Sequence, residues 1–326
     1  MALRRLVILA AVLALLLGIG AWLKGRERTV SSMQPTSTPL LPADWTLDSL
    51  TAVELSIGKA ESPSVRITKD PRDGWRVNSA FNAPADLEKL TRFIGALKGL
   101  SGEERARGEI WFPDFGLGEN VLTLSLRRGE QEVRSLAIGR GKKDWSTNFV
   151  RPLEGNTIYA VETDLLSEAG IWGALSSESV SPKNWVDLRL FPVDPATRVG
   201  VELAERVKEG WVVRAERHEP FDSDTQSWLD AVTALRGSAV LDPKGEEPAF
   251  KPQWRWIFLQ RGGARTELEE SIPDAKEKKE APLKVRLLPE GPYLTVTAAS
   301  IEGYRQQLLP GASPPKDSPS KSKKAL

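Results

Sequence analysis

Cysteine is absent from this 326-residue chain, and histidine occurs once, as His218. Without cysteine the protein has no disulfide bonds, no thiolate metal ligands and no thiol nucleophile. A single histidine rules out metal sites built from several imidazoles, so any histidine chemistry depends on His218. We therefore expect a protein that binds rather than catalyses, with no cofactor and no bound metal.

Long apolar runs are also scarce. One such run lies near the N-terminus and precedes the rest of the chain. Residues 6–23 form an uncharged apolar stretch of 18 residues, just long enough to cross a bilayer as a helix. Basic residues follow at once, which favours a retained signal anchor over a secretory signal cleaved near Gly18-Ile-Gly20. Both interpretations place most of the chain outside the cytoplasm. We expect residues 1–28 to be a single-pass anchor in the cell inner membrane, with the bulk of the chain periplasmic.

Neither sign of charge dominates, since Lys and Arg number 45, Asp and Glu number 44, and the formal net charge is +1. Nucleic-acid binders concentrate positive charge, so nucleic acid is not an expected partner. Two segments have compositions too polar to pack. Residues 29–44, rich in Ser, Thr and Pro, are interpreted as a tether, and residues 310–326, rich in Lys, Ser and Pro, as a disordered tail.

The remaining chain is predicted to form two tandem copies of one unit, at residues 45–178 and 179–309. Short motifs recur in the same order and at nearly equal spacing. The pairs are Pro42–Trp45 with Pro182–Trp185, Asp73–Val77 with Glu209–Val213, Ala96–Gly99 with Ala234–Gly237, and Val150–Gly155 with Val285–Gly291. The repeated tryptophans, Trp45 with Trp185 and Trp75 with Trp211, are expected to be buried anchors of the repeated fold.

Each copy combines strand patterns with short helices. In the first copy, Val53–Ile57 alternates apolar and polar residues as a half-buried strand does, and Asp86 precedes a helical pattern that ends at Gly99. In the second copy, Asp222 opens the equivalent helix, and residues 267–282 are interpreted as a strongly charged loop. The predicted fold class is α+β, with helices covering one face of antiparallel sheets.

The most enzyme-like cluster surrounds His218. Asp222 and Asp224 lie close to it in the sequence, together with Glu216 and Glu219. A histidine with paired carboxylates can serve as acid and base. A carboxylate at the start of a helix, however, caps free N–H groups. Because no nucleophile or oxyanion motif accompanies the cluster, we favour capping by Asp222 and assign no catalytic residue.

Candidate ligand-binding residues lie in the polar segment after Gly139. Its Gly-Arg-Gly-Lys-Lys sequence lacks the spacing and the following helix of a phosphate-binding loop, which favours an exposed turn. Trp145 is the best candidate for binding, with Lys142 and Lys143 beside it, because aromatic side chains concentrate at binding hot spots. Core placement is favoured for the other tryptophans that lack counterparts between the copies, Trp111, Trp254 and Trp256.

A series of short motifs runs through the first copy in a fixed order. They are Gly-Trp-x-Val, Pro-Ala-Asp, Phe115-Gly-Leu117, Leu136-Ala-Ile-Gly139, Phe149-Val-Arg151 and Ile158-Tyr-Ala-Val161. This series resembles the bacterial domain-of-unknown-function family 4340, with the resemblance extending over residues 45–309. Two departures are that Gly118-Glu-Asn120 replaces a proline-containing stretch and that the second copy has no clear Phe-Gly-Leu.

The resemblance implies a location and a class of partner rather than a reaction. Members of the family look like extracytoplasmic proteins anchored by a single helix, and some are associated with ABC-type transport systems of the gliding-motility kind. The family offers no catalytic residues to carry over. It therefore adds ABC-transporter-type membrane proteins to the expected partners.

Three functions follow from these observations. The favoured hypothesis is a membrane-anchored, non-catalytic interaction or accessory subunit of an ABC-transporter-like envelope complex. The alternative is a module that binds an envelope glycan or a small ligand. The third is a hydrolase that uses His218 and Asp222.

Overall fold

The computed structural model describes residues 37–42, 44–58, 64–72, 74–141, 147–176, 178–244, 250–271, 282–289 and 291–309. The predicted anchor at residues 6–23 and the predicted tail at residues 310–326 lie outside these ranges. Within them, no helix is long and apolar enough to span a membrane.

The first half of the described chain forms a ten-stranded antiparallel sheet. Its order is β1-β6-β10-β9-β8-β7-β2-β3-β4-β5. The leucines of β7 are buried while the Thr and Ser between them are half-buried, which is the period of a strand with one face in the core. The strands are β1 (Ser37–Pro39), β2 (Ala52–Ile57), β3 (Val65–Asp70), β4 (Gly74–Val77), β5 (Ala83–Pro84), β6 (Ser101–Arg107), β7 (Leu122–Arg128), β8 (Gln131–Arg140), β9 (Asn148–Pro152) and β10 (Thr157–Val161).

Two helices contribute to the core on one face of this sheet. Helix α1 (Leu87–Leu97) buries Leu90, Phe93, Ile94 and Leu97, and Asp86 caps it by accepting a hydrogen bond from the Lys89 N–H at 3.0 Å. Helix α2 (Leu165–Glu168) begins after Asp164, whose side chain accepts from the Ser167 N–H at 3.2 Å. The start of α1 at Asp86 agrees with the sequence prediction, because a side-chain acceptor is needed where backbone N–H groups have no partner.

The second half forms a seven-stranded antiparallel sheet with the order β12-β11-β14-β15-β16-β17-β13. Helix α3 (Ser223–Thr233) and helix α4 (Ala298–Leu308) accompany it. Its strands are β11 (Arg198–Val207), β12 (Gly210–His218), β13 (Ala239–Leu241), β14 (Pro252–Gln260), β15 (Arg265–Ser271), β16 (Leu283–Leu288) and β17 (Tyr293–Val296). The protein is thus an α+β protein dominated by two antiparallel sheets.

The two sheets follow the same strand order along the chain. Strands β13-β17-β16-β15-β14-β11-β12 occupy the places of β6-β10-β9-β8-β7-β2-β3. The first sheet continues past β3 with β4 and β5, whereas the second sheet stops at β12. Trp75 lies in β4 and Trp211 in β12. The predicted equivalence of these two tryptophans is therefore wrong, because the shared Gly-Trp motif follows turns at different places in the two sheets.

Residues 182–193 join the two halves. Trp185 lies in a 3₁₀ helix, Pro182–Trp185, and its ring meets the Phe93 ring of α1 edge-on at 5.3 Å between centroids. Phe191 packs against Trp256 and Phe258 of β14 at centroid distances of 5.7 and 4.7 Å. Since all of these rings belong to one buried cluster, the two sheets share a continuous core.

The described parts of two charged or polar segments include strands, contrary to the sequence analysis; residues 29–36, 43 and 272–281 of these segments lie outside the described residues. The predicted tether at residues 29–44 includes β1, which pairs with β6, and Leu40 and Leu41 are buried. The charged segment predicted as a loop at residues 267–282 includes the second part of β15, where Glu269 and Glu270 are buried. β15 is a strand despite its polar composition because it pairs with β14 on one side and with β16 on the other, and its side chains alternate between the two faces of the sheet.

Candidate functional site in a groove around Arg286

The predicted ligand-binding residues Lys142, Lys143 and Trp145 lie outside the described residues. Trp111 lies in a 3₁₀ helix, Glu109–Phe115, and is 45% exposed, so its predicted core placement is wrong. Trp256 is fully buried, which confirms its predicted core placement. Trp254 is only partly buried and packs against the edge of the core, with the guanidinium of Arg305 5.2 Å from its ring centroid.

Asp222 caps helix α3, as its sequence position predicts. Its carboxylate accepts the Thr225 N–H at 2.7 Å, and this hydrogen bonding to Thr225 lowers the pKa of Asp222. Near His218 lie Glu216, which the sequence analysis placed in this cluster, and Glu202, which it did not; the ligand atoms of the three side chains all lie within 4.8 Å of one another. Sequence proximity missed Glu202 because it approaches from the paired strand β11, opposite Glu216.

The richest array of polar and aromatic side chains lies on the outer face of the second sheet. Glu269 on β15 is directly opposite Arg255 on β14 and Arg286 on β16, and Arg286 is opposite Tyr293 on β17. Adjacent residues such as Leu268 and Trp256 point into the core and are fully buried. The alternation of strand side chains therefore places a continuous row of charge on the face away from the core.

Glu269 is the centre of this row and is only 3% exposed. Its two carboxylate oxygens accept hydrogen bonds from Arg255 at 2.6 Å and from Arg286 at 2.8 Å. A buried carboxylate needs such partners because removing an ion from water is costly. The two arginines thus neutralise Glu269 and hold each other's positions on the sheet.

Arg286 connects this row to two aromatic rings. It donates to the Tyr293 hydroxyl at 3.0 Å, and its guanidinium lies 5.5 Å from the Tyr293 ring centroid and 5.6 Å from that of Phe250. Burial alone lowers the pKa of Arg286, but the hydrogen bond to Tyr293 and the charge of Glu269 outweigh it and raise this pKa. Arg286 is therefore a permanent cation.

A second cation–aromatic contact lies toward the edge of the sheet. The guanidinium of Arg255 lies 4.2 Å from the Trp211 ring centroid, and that of Arg206 lies 5.9 Å from it. Trp211 is only partly buried, so the prediction that it is a buried anchor is wrong. Its ring packs against guanidinium groups because β12 presents it to the outer face.

These side chains line two adjoining cavities. One, of about 380 Å³, is bounded by Arg206, Pro243, Phe250, Pro252, Glu269, Arg286 and Tyr293. The other, of about 200 Å³, shares Pro243, Arg286 and Tyr293 with the first and is also bounded by residues 81–83 next to the edge of the first sheet and by Val240 and Leu241 of β13. We refer to the two cavities together as the Arg286 groove. It lies where the edges of the two sheets approach each other.

The backbone of the groove wall is strained at one point. Phe81 and Asn82 have φ angles of 56° and 61°, in the left-handed region that costs a residue with a side chain about 1–2 kcal/mol. Asn tolerates this conformation better than a bulky residue does. Phe81 is 48% exposed and lines the groove, so the strained backbone holds an aromatic side chain at the groove surface.

A second acidic residue, Glu270, lies on the opposite face of β15, inside the core. It forms a buried ion pair with Arg305 of α4 and accepts the Trp256 indole N–H at 3.3 Å. Burial raises the pKa of Glu270, although the charge of Arg305 opposes the shift. This ion pair holds α4 against the second sheet, and Glu270 lines neither cavity of the Arg286 groove.

Four of the motifs singled out by their order in the sequence, those that begin at Phe115, Leu136, Phe149 and Ile158, meet on the outer face of the first sheet. Leu117, Ala137 and Ile158 form a small buried cluster, against which Phe115 and Phe149 pack with their rings 4.7 Å apart. Gly116 and Gly139 make this possible, because a Cβ on Gly139 would lie 2.3 Å from the Gly116 carbonyl oxygen. These motifs therefore have a packing role.

The fold and the groove together define a two-sheet α+β protein with a polar and aromatic cleft near the junction of its sheets. The family model described as "Domain of unknown function (DUF4340)" matches residues 75–252, more than half of the chain, and the protein belongs to this family. The matched range runs from β4 to β14, across the segment that joins the sheets. No curated protein and no solved structure shows significant similarity to the chain.

Proposed function

We propose that this protein is a membrane-anchored extracytoplasmic subunit that binds other molecules without catalysing a reaction. Its anchor is the apolar segment at residues 6–23, and its partners are membrane proteins of an envelope complex of the ABC-transporter type. The observation that carries the binding function is the outer face of the second sheet. It combines Arg206, Trp211, Arg255, Arg286 and Tyr293, residue types that dominate binding energy at protein interfaces.

The equal strand order of the two sheets supports a further part of the proposal, that the chain arose by tandem duplication of one unit. The copies have since diverged at one edge. In the first copy β4 and β5 cover β3, whereas in the second copy β12 has one neighbour, β11, among the described strands. The edge strands of the first sheet, β1 and β5, have three and two residues, whereas β12 has nine. The second copy therefore has the longer accessible edge, and we assign partner binding to it.

Partner binding is tested by affinity capture of the full chain from gently solubilised membranes. Two neighbouring valines of β12 make a matched pair, because Val213 is 48% and Val212 is 40% exposed and they point to opposite faces of the strand. We expect stoichiometric membrane partners with the natural chain and with Val212→Lys, and their loss with Val213→Lys. Recovery of the protein alone, or equal recovery with both variants, would contradict the assignment.

Membrane topology is tested separately with a reporter fused after residue 309. An extracytoplasmic reporter agrees with the proposal. A cytoplasmic reporter would refute the location and, with it, the expected envelope partners.

The second candidate function is binding of an envelope glycan or a small ligand. The 380 Å³ cavity favours it, since its volume is within the range of about 300–1,000 Å³ found for small-molecule sites.

A further inference from the structure

The two compartments of the Arg286 groove differ in chemistry. The 200 Å³ compartment is lined mainly by apolar side chains, including Phe81, Val240 and Leu241. The 380 Å³ compartment contains the charged side chains Arg206, Glu269 and Arg286. A ligand that occupies both must therefore have an apolar part and a charged part.

The sign of that charge follows from the ion pairs. Glu269 already has both carboxylate oxygens occupied by Arg255 and Arg286. Arg206 is different, because within the described ranges no acidic side chain pairs with it, and its guanidinium lies 5.9 Å from the Trp211 ring centroid. A guanidinium that lines a cavity and has no carboxylate partner is suited to bidentate binding of a carboxylate or phosphate.

We propose that the Arg286 groove binds an amphiphilic anion, with its carboxylate or phosphate against Arg206 and its apolar part between Phe81 and Leu241. The apolar compartment of about 200 Å³ is large enough for an aromatic ring, since a cavity of about 150 Å³ holds benzene. Arg206 on β11 and Leu241 on β13 are separated by five strand spacings of about 4.8 Å, so the ligand must be an extended amphiphile that passes Arg286 between the two compartments. The inference rests on the proposed binding function of the second sheet, but it concerns a small ligand instead of the membrane partners.

Three probes with one aromatic body and different head groups test the proposal. They are the extended molecules 8-phenyloctanoate, 7-phenylheptylphosphonate and the neutral 8-phenyloctanamide, titrated against the full chain in nanodiscs by ligand-observed NMR, with empty nanodiscs as the blank. We expect at least one acid to bind about tenfold more tightly than the amide, which is the usual effect of one hydrogen bond to a charged group. A preference for the phosphonate identifies a phosphate ligand, and a preference for the octanoate identifies a carboxylate.

Two arginine variants locate the anion. Arg206→Ala is expected to weaken binding of the preferred acid about tenfold and to leave the amide unchanged, which removes the discrimination. Arg265→Ala is the matched control, because Arg265 is an exposed arginine of β15 that does not line either cavity. It should leave all three affinities unchanged.

The apolar compartment is located by Leu241→Gln, which should weaken the acid and the amide by the same factor. The proposal is overturned if neither acid binds at millimolar concentration, if acid and amide bind equally to the natural chain, or if Arg206→Ala and Arg265→Ala have equal effects. Failure of these probes leaves membrane capture through Val213 unaffected, so the two proposals fail separately.

Discussion

The contact between Gly116 and the backbone of β8 gives a sharp prediction about stability. Gly116 has a φ of +68°, and a Cβ at this position would lie 2.1 Å from the Arg140 carbonyl oxygen. Gly129 has a similar φ of +61° with nothing within 4 Å of its Cβ position. Replacing each by alanine therefore imposes the same left-handed strain, but only Gly116→Ala adds a collision with backbone.

The magnitude follows from these two contributions. Left-handed backbone costs an alanine about 1–2 kcal/mol, which is the whole effect expected for Gly129→Ala. Overpacking adds about 1–3 kcal/mol at Gly116, because the obstructing atom belongs to β8 and cannot rotate away. We expect Gly116→Ala to lower the free energy of unfolding by about 2–5 kcal/mol in total.

Urea unfolding of the full chain in detergent, followed by far-ultraviolet circular dichroism, measures both losses. Near-ultraviolet dichroism should also change in Gly116→Ala, because Phe115 and Phe149 pack beside the glycine. Equal losses for the two variants would refute the argument, since they would show that β8 yields to the extra methyl group at no cost.

Three further predictions concern the junction, the buried ion pair and a helix cap. Trp185→Ala should lower the free energy of unfolding by about 3–5 kcal/mol, because Trp185 is 1% exposed and its ring packs against Phe93. A double-mutant cycle with Phe93→Leu should give a coupling energy of about 0.5–1.5 kcal/mol. A loss below about 1 kcal/mol for Trp185→Ala in urea unfolding would show that the junction ring is dispensable. Arg305→Met should lower the free energy of unfolding by about 3–5 kcal/mol at neutral pH, because it leaves Glu270 buried without its cation. Burial raises the pKa of Glu270, so the variant should regain stability as the pH falls and lose it as the pH rises. A loss of stability that is the same at about pH 5 and about pH 8 would contradict this. Burial alone raises the pKa of Asp164, but hydrogen bonds from Ser167, Asn148 and Arg140 outweigh it and lower this pKa. The stabilisation by Asp164 is therefore present above about pH 4 and is lost in acid. Asp164→Asn should flatten that part of the acid-unfolding curve, and an unchanged curve would exclude Asp164 as its cause.

The local structure was predictable wherever neighbouring residues decide it. Asp86 and Asp222 cap their helices because the N–H groups they accept lie three residues further on. The strand predicted at Val53–Ile57 is part of β2, as its alternation of apolar and polar residues indicates. The order of motifs from Gly-Trp-x-Val to Ile158–Val161 was enough to indicate the family, and the family match at residues 75–252 confirms it.

Prediction failed where pairing between distant strands decides the structure. Glu267–Glu270 has the composition of a solvated loop, yet β14 and β16 pair with it on both sides and bury two of its carboxylates beside arginines. Trp211 matched Trp75 by its local motif, but it lies on a strand with a different place in its sheet. Local sequence contains no information about which strand will be the neighbour.

The sequence by itself determined the chemistry that is excluded, the helix starts, the strand periods and the family, because each depends on residue type or on near neighbours. Only the tertiary structure brought Arg206, Arg255, Glu269, Arg286 and Tyr293 together, since they come from separate strands of one sheet. The Arg286 groove also depends on the approach of two sheet edges more than 150 residues apart in the chain. A site formed in this way by cross-strand register and edge contact leaves no contiguous motif.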